Sequence, residues 1–150
     1  MITLDLKSDE SVLTFTAYGE IRSGTQQQIE NVCHSVLARV ALGYAPTIRQ
    51  VCLQYEQYSS WNPYTAPAKF APDANYRAMM SAPTSDPVVL LRVSQIVQQV
   101  MSGNTVSRIG RADSYYASAS NRPYWAVPPA VFCVADGKHS FWRVRYLNKP

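Results

Sequence analysis

Apolar residues recur at three- and four-residue intervals through Ile29, Val32, Cys33, Val36, Leu37 and Val40, which predicts an amphipathic helix. Thr25 followed by Gln28 has the spacing of a capping box at its start, and Gly43 marks its end. A second apolar face, Leu90, Val93, Ile96, Val97 and Val100, predicts a core helix opened by Asp86-Pro87 and closed by Gly103. Upstream, Val12, Leu13, Phe15, Thr16 and Ala17 predict a short amphipathic helix with Ser11 or Asp9 as N-cap, ending at Gly19-Glu20. Pro46 to Leu53 reads as another short helix, with proline in its first turn and Ile48, Val51 and Cys52 facing inward.

Beyond residue 104 the period shifts toward two. Asp113 to Ala117 predicts a strand, and Val131 to Ala135 and His139 to Val144 flank Asp136-Gly137-Lys138 as a hairpin. Between Tyr55 and Ser85 no period is sustained, and Tyr, Pro, Ser, Ala and Asn dominate. That stretch reads as a long ordered loop lined with aromatic side chains, a kind of segment that is often functional. Helices first and a small antiparallel sheet afterwards define an α+β class, expected as a single domain over 1–150.

Composition narrows the classes of function. Hydrophobic residues make up 47% of the chain and charged ones 16%, which argues against disorder. The net charge of +4 favours a polyanionic partner, such as nucleic acid, an anionic membrane surface or a cell-wall polymer. The only local basic concentration is Lys138, Arg143, Arg145 and Lys149, so nucleic acid is disfavoured. No apolar run reaches the length of a membrane span, and Met1 to Asp9 lacks the layout of a signal peptide. Synthesis in the cytoplasm without stable membrane insertion is the expectation. Cys33, Cys52 and Cys133 show neither zinc nor redox spacing and read as buried thiols.

Candidate chemistry centres on Glu20, in Tyr18-Gly19-Glu20-Ile21-Arg22, one of only ten carboxylates. Burial among aromatic and apolar neighbours raises a carboxyl pKa and makes it a general acid near neutral pH. A solvated or capping role is the commoner one for a glutamate at a helix junction. Tyr58, Ser59, Ser60, Trp61 and Asn62 combine aromatic faces with hydroxyl and amide groups, which suits a carbohydrate groove, although Tyr58 and Trp61 could equally cover the core. Tyr115 and Tyr116 point to opposite faces of a strand, and Tyr124-Trp125 follow. Asp113 is a possible second carboxylate or a turn residue, and His139 suggests a structural hydrogen bond. No metal-ligand set, nucleophile elbow or phosphate loop is present, so neither metal nor organic cofactor is expected.

In order, these segments resemble the catalytic domain of the SleB-type cell wall hydrolases, the spore cortex-lytic family also found in phage lysis proteins. Tyr18-Gly19-Glu20-Ile21-Arg22, running into a helix that reaches Ala38-Arg39, is similar to the family's opening Y-G-E-A-R-G-E and the Asn-Arg that ends its helix. Gln57 to Asn62 resembles Q-F-S-x-W-N, Ala112 to Ala117 resembles A-T-H-Y-H-A, Pro123 to Ala126 matches P-Y-W-A, and Gly137 to Arg143 resembles G-x-H-x-F-Y-R. Three positions depart: the second glutamate of the opening motif is Gly24, and the two histidines of the third segment are Ser114 and Tyr116.

The resemblance implies a lysozyme-like fold that cleaves the peptidoglycan glycan strand between N-acetylmuramic acid and N-acetylglucosamine. Glu20 would be general acid and then base, giving a 1,6-anhydro product as a lytic transglycosylase does. Tyr115 would support the reacting centre, and Tyr58, Ser59, Trp61, Asn62, Asp113, Tyr116, Trp125 and His139 would shape or contact the groove. Hydrolysis by a muramidase route would need a partner carboxylate, Asp113 or Glu30. Competing with these glycan-cleaving routes are an amidase that cuts the muramoyl-to-alanine bond and a wall-binding or phage structural module without activity. The expected setting is the bacterial wall, periplasmic, extracellular or virion-borne, reached through a holin-type pore, with a monomer as the default.

Overall fold

The computed structural model describes residues 1–144. Six α-helices, α1 (Asp9–Ile21), α2 (Gln26–Ala41), α3 (Ile48–Cys52), α4 (Asn62–Thr65), α5 (Ala74–Ser85) and α6 (Pro87–Met101), precede three strands, β1 (Ser114–Ala117), β2 (Val131–Ala135) and β3 (His139–Arg143). The class is α+β, with the sheet at the C-terminal end of the described chain. Arg145 and Lys149 of the basic tail lie outside the described residues.

Helix α1 is not the short amphipathic segment that its pattern predicts. Nearly every residue from Val12 to Ile21 is buried, including Thr14, Thr16 and Gly19, because α2, α3, α5 and α6 all pack around it. A helix enclosed on all sides has no polar face, which blurs its periodicity. Its hydroxyls stay satisfied locally: Thr14 Oγ1 donates to the Glu10 carbonyl at 2.8 Å and Thr16 Oγ1 to the Val12 carbonyl at 2.7 Å. The N-cap is Ser8, whose hydroxyl accepts from the Ser11 amide, rather than Ser11 or Asp9.

Helices α2 and α6 follow their patterns. The Thr25–Gln28 capping box closes in both directions, Gly43 takes a φ of 76° after the helix, and the α6 stripe from Leu90 to Val100 is buried. In α3 the N-cap is Thr47, so Pro46 stands before the helix and not in its first turn.

The expected loop from Tyr55 to Ser85 is largely helical. It holds a 3-10 turn at Ser59–Trp61, then α4, then the twelve-residue α5, capped by Asp73, whose carboxylate accepts from the Tyr76 amide. Helix α5 buries only Met79 and Ala82 and contains Pro83, so it shows neither an apolar stripe nor an uninterrupted helical sequence.

The sheet order is β1-β3-β2, antiparallel throughout. Asp136 in the hairpin ties the sheet to α2: its backbone carbonyl accepts from Gln28 Nε2 at 3.0 Å and its carboxylate from Asn31 Nδ2 at 3.0 Å. The carboxylate also accepts from the His139 amide, which fixes where β3 starts. A main core among the helices and a smaller one of Ile109, Ala112 and Phe141 beneath the sheet result. Cys33 and Cys52 are buried, while Cys133 is only half-buried, contrary to expectation. Among the described residues no helix is long and apolar enough to cross a membrane.

Candidate active site

Helix α1 delivers Glu20 from its last turn into a cleft of about 700 Å³ between the helical body and the sheet. Gly19 makes this possible. A β-carbon there would stand 2.6 Å from Ser60 Cβ, so only glycine lets α1 lie against the 3-10 turn. The turn and its flanks supply Tyr58, Ser59 and Asn62 to the lining, β1 and β3 supply Tyr115 and His139, and α5 adds Asn75.

Glu20 is half-buried, and burial raises its pKa from 4.5 to about 7, against an opposing pull from the Arg39 guanidinium. The carboxyl is therefore divided between acid and carboxylate near neutral pH, the balance a general acid and base needs. Arg39 is itself buried and clamped: Nε donates to the Asp113 carbonyl at 2.6 Å and NH1 to Gln57 Oε1 at 2.7 Å. Its guanidinium lies 5.0 Å from the Tyr44 ring centroid and 5.4 Å from that of Tyr58.

Four polar atoms of the cleft walls, Tyr58 Oη, Asn62 Oδ1, Tyr115 Oη and His139 Nδ1, are buried without a hydrogen-bond partner among the described residues. Buried polar groups are normally paired, so these four atoms keep hydrogen-bonding capacity that water or a ligand in the cleft could meet. Burial holds both tyrosines neutral by raising their pKa values, and lowers that of His139 so that its ring is held toward the neutral form. The His139 ring packs edge-on against Tyr115 at 4.7 Å. Among the described residues its Nδ1 makes no structural hydrogen bond of the kind the sequence suggests.

Glu20, Tyr58, Ser59, Asn62, Tyr115 and His139 thus meet in one cleft. Other candidates do not. Trp61 is buried in the core, where Nε1 donates to Thr16 Oγ1 at 2.8 Å, so its ring is not a groove wall. Asp113 is fully buried behind the cleft; its carboxylate accepts from the Val144 amide, Ser114 Oγ and Tyr44 Oη, which commits it to structure. Tyr116 turns away to pack edge-on against Trp125 at 5.9 Å, and Trp125 lines a neighbouring cavity. Glu30 lines neither space.

The structure adds residues that were not among the sequence's site candidates. Arg22, held to Asn75 by a 2.8 Å hydrogen bond, lines the cleft, as does Glu56. Glu56 is the one non-glycine residue with positive φ, 55°, among the described residues, and Lys69 Nζ lies 2.6 Å from its carboxylate. Only a positive φ would have singled it out, and sequence carries no such signal outside glycine and asparagine.

In comparisons with protein-family models, curated protein sequences and solved structures, the chain has no significant match.

Proposed function

We propose that this chain cleaves the glycan strand of bacterial peptidoglycan as a lytic transglycosylase on a lysozyme-like fold, with Glu20 as its acid and base. The observation that carries the reading is a carboxyl with a pKa near 7, presented by a buried helix into a cleft whose walls hold several unpartnered polar atoms. The ordered resemblance of the surrounding segments to the SleB-type hydrolases supplies the substrate class.

In the first step protonated Glu20 gives its proton to the oxygen linking muramic acid to the next sugar, and the bond from that oxygen to muramoyl C1 breaks. The leaving sugar departs as an alcohol. Positive charge builds at C1, and the Arg39 guanidinium offsets part of the cost of the new Glu20 carboxylate. The carboxylate then takes the proton of the muramoyl 6-hydroxyl as its oxygen attacks C1. A 1,6-anhydro ring closes and Glu20 returns to the acid form. Tyr115, which burial keeps neutral and whose hydroxyl has no hydrogen-bond partner among the described residues, would donate a hydrogen bond to the acetamido oxygen, with Tyr58 and Asn62 adding polar contacts.

Glu56 favours one competing route, a muramidase in which this second cleft carboxylate activates water. Asp113 and Glu30 do not stand in the cleft to serve that purpose. The basic test is clearance of purified cell walls without added metal. We expect the native chain to digest them and Glu20→Gln to lose about 10²- to 10⁴-fold in rate. Equal digestion by both proteins would overturn the assignment.

A further inference from the structure

Next to the Glu20 cleft lies a second cavity of about 460 Å³, and the two share Arg39, Glu56, Gln57 and Tyr115 as a common wall. Its far side is formed by Tyr124, 92% exposed, and half-buried Trp125. We propose that this cavity is a second saccharide subsite, in which the glycan strand crosses the Glu56–Gln57 rim and its next N-acetylhexosamine rests on the Trp125 and Tyr124 rings. The inference rests on the glycan substrate proposed above.

Observations on two neighbouring residues, Glu56 and Gln57, single out the rim. Gln57 is held by the buried Arg39 guanidinium at 2.7 Å, so its amide N–H groups remain available to a ligand. Glu56 adopts a left-handed backbone, φ 55°, a conformation uncommon outside glycine and one that clusters where function over-determines the chain. Lys69, thirteen residues along, pins the Glu56 carboxylate from one side, and a carboxylate keeps further acceptor sites after one ammonium contact. An acceptor pair and an amide lining the same cavity as two amphipathic rings match the alternating polar rim and apolar face of a pyranose.

The test measures binding separately from catalysis. Glu20→Gln protein is titrated with a disaccharide and a tetrasaccharide of alternating N-acetylglucosamine and N-acetylmuramic acid, followed by calorimetry. The tetrasaccharide should bind at least about tenfold more tightly, the worth of roughly one well-placed ring contact. Trp125→Ala in the same background should bring the tetrasaccharide to the disaccharide's affinity and leave the disaccharide unchanged. Tyr124→Ala, a change at a side chain that lines the second cavity and not the Glu20 cleft, should weaken only the longer ligand. Equal affinities for the two lengths, or tetrasaccharide binding untouched by both substitutions, would overturn the second subsite. If the native chain still digests walls in that case, the proposed function survives without it; if neither saccharide binds and walls stay intact, both fall.

Discussion

Gly19 and Ser60 approach so closely that a β-carbon on Gly19 would lie 2.6 Å from Ser60 Cβ and 2.7 Å from Ser60 Oγ. This contact sets the distance between α1, which carries Glu20, and the turn that carries Tyr58 and Asn62. Gly19→Ala forces the two apart. The expected cost is about 1–3 kcal/mol of stability, the usual range for overpacking a tight core, read by denaturant unfolding. The proposed wall-digesting activity should fall as well, because the displaced residue is next to Glu20.

Glu20 itself works against the fold. Its folded-state pKa of about 7 lies above its ordinary 4.5. A raised pKa means stability that is complete below the ordinary value and is lost as pH rises through the folded one. Glu20→Gln should match the native chain below pH 4.5 and gain a margin between about 4.5 and 7 that persists above. The margin is on the order of 1–3 kcal/mol, visible as a higher melting temperature at pH 8. Identical melting temperatures at pH 8 would show that Glu20 is not destabilised by burial.

Arg39 opposes that burial. Activity that needs protonated Glu20 should decline as pH rises through about 7. Removing the guanidinium with Arg39→Met should move this alkaline limb upward, and Arg39→Lys should restore part of the shift. A limb that stays in place in both variants would separate Arg39 from the titration of Glu20. Circular dichroism must accompany the measurement, since Arg39 also clamps Asp113 and Gln57.

The second glutamate of the resembling motif does not fit at Gly24 without strain. A β-carbon at Gly24 would meet Ile21 Cγ1 at 2.7 Å and the Ile21 carbonyl at 3.1 Å, and would crowd Gln28 Oε1 of the capping box at 3.1 Å. Gly24→Glu is therefore expected to destabilise by roughly 1–3 kcal/mol and to leave the product type unchanged. Chemical unfolding and product chromatography check the two halves of that statement.

How far the sequence could be read depended on what each signal encodes. The caps and stripes of α2 and α6 are local, so their bounds were legible, as was the hairpin around Asp136-Gly137. Helix α1 and α5 were distorted for opposite reasons: one is buried all round and the other hardly at all, and neither gives a one-sided stripe. At the site, Glu20, Tyr58 and Asn62 stood out by residue type and neighbourhood, whereas Tyr115 and His139 entered through the family resemblance, His139 having read on its own as structural. Trp61 and Asp113 carry the same local signature, yet the 3-10 turn directs Trp61 onto Thr16, and Tyr44 and the Val144 amide draw Asp113 inward. Those are contacts across 31 to 69 positions, beyond the reach of spacing. Glu56 was hidden because its backbone conformation, not its neighbours, sets it apart.

The most direct measurement is mass spectrometry of the soluble fragments released from purified peptidoglycan. Glu20 acting alone, first as acid and then as base, predicts fragments ending in 1,6-anhydro-muramic acid, made by the native chain and not by Glu20→Gln. Fragments ending in reducing muramic acid, heavier by one water, would contradict that mechanism and point to hydrolysis with Glu56 as the second carboxylate.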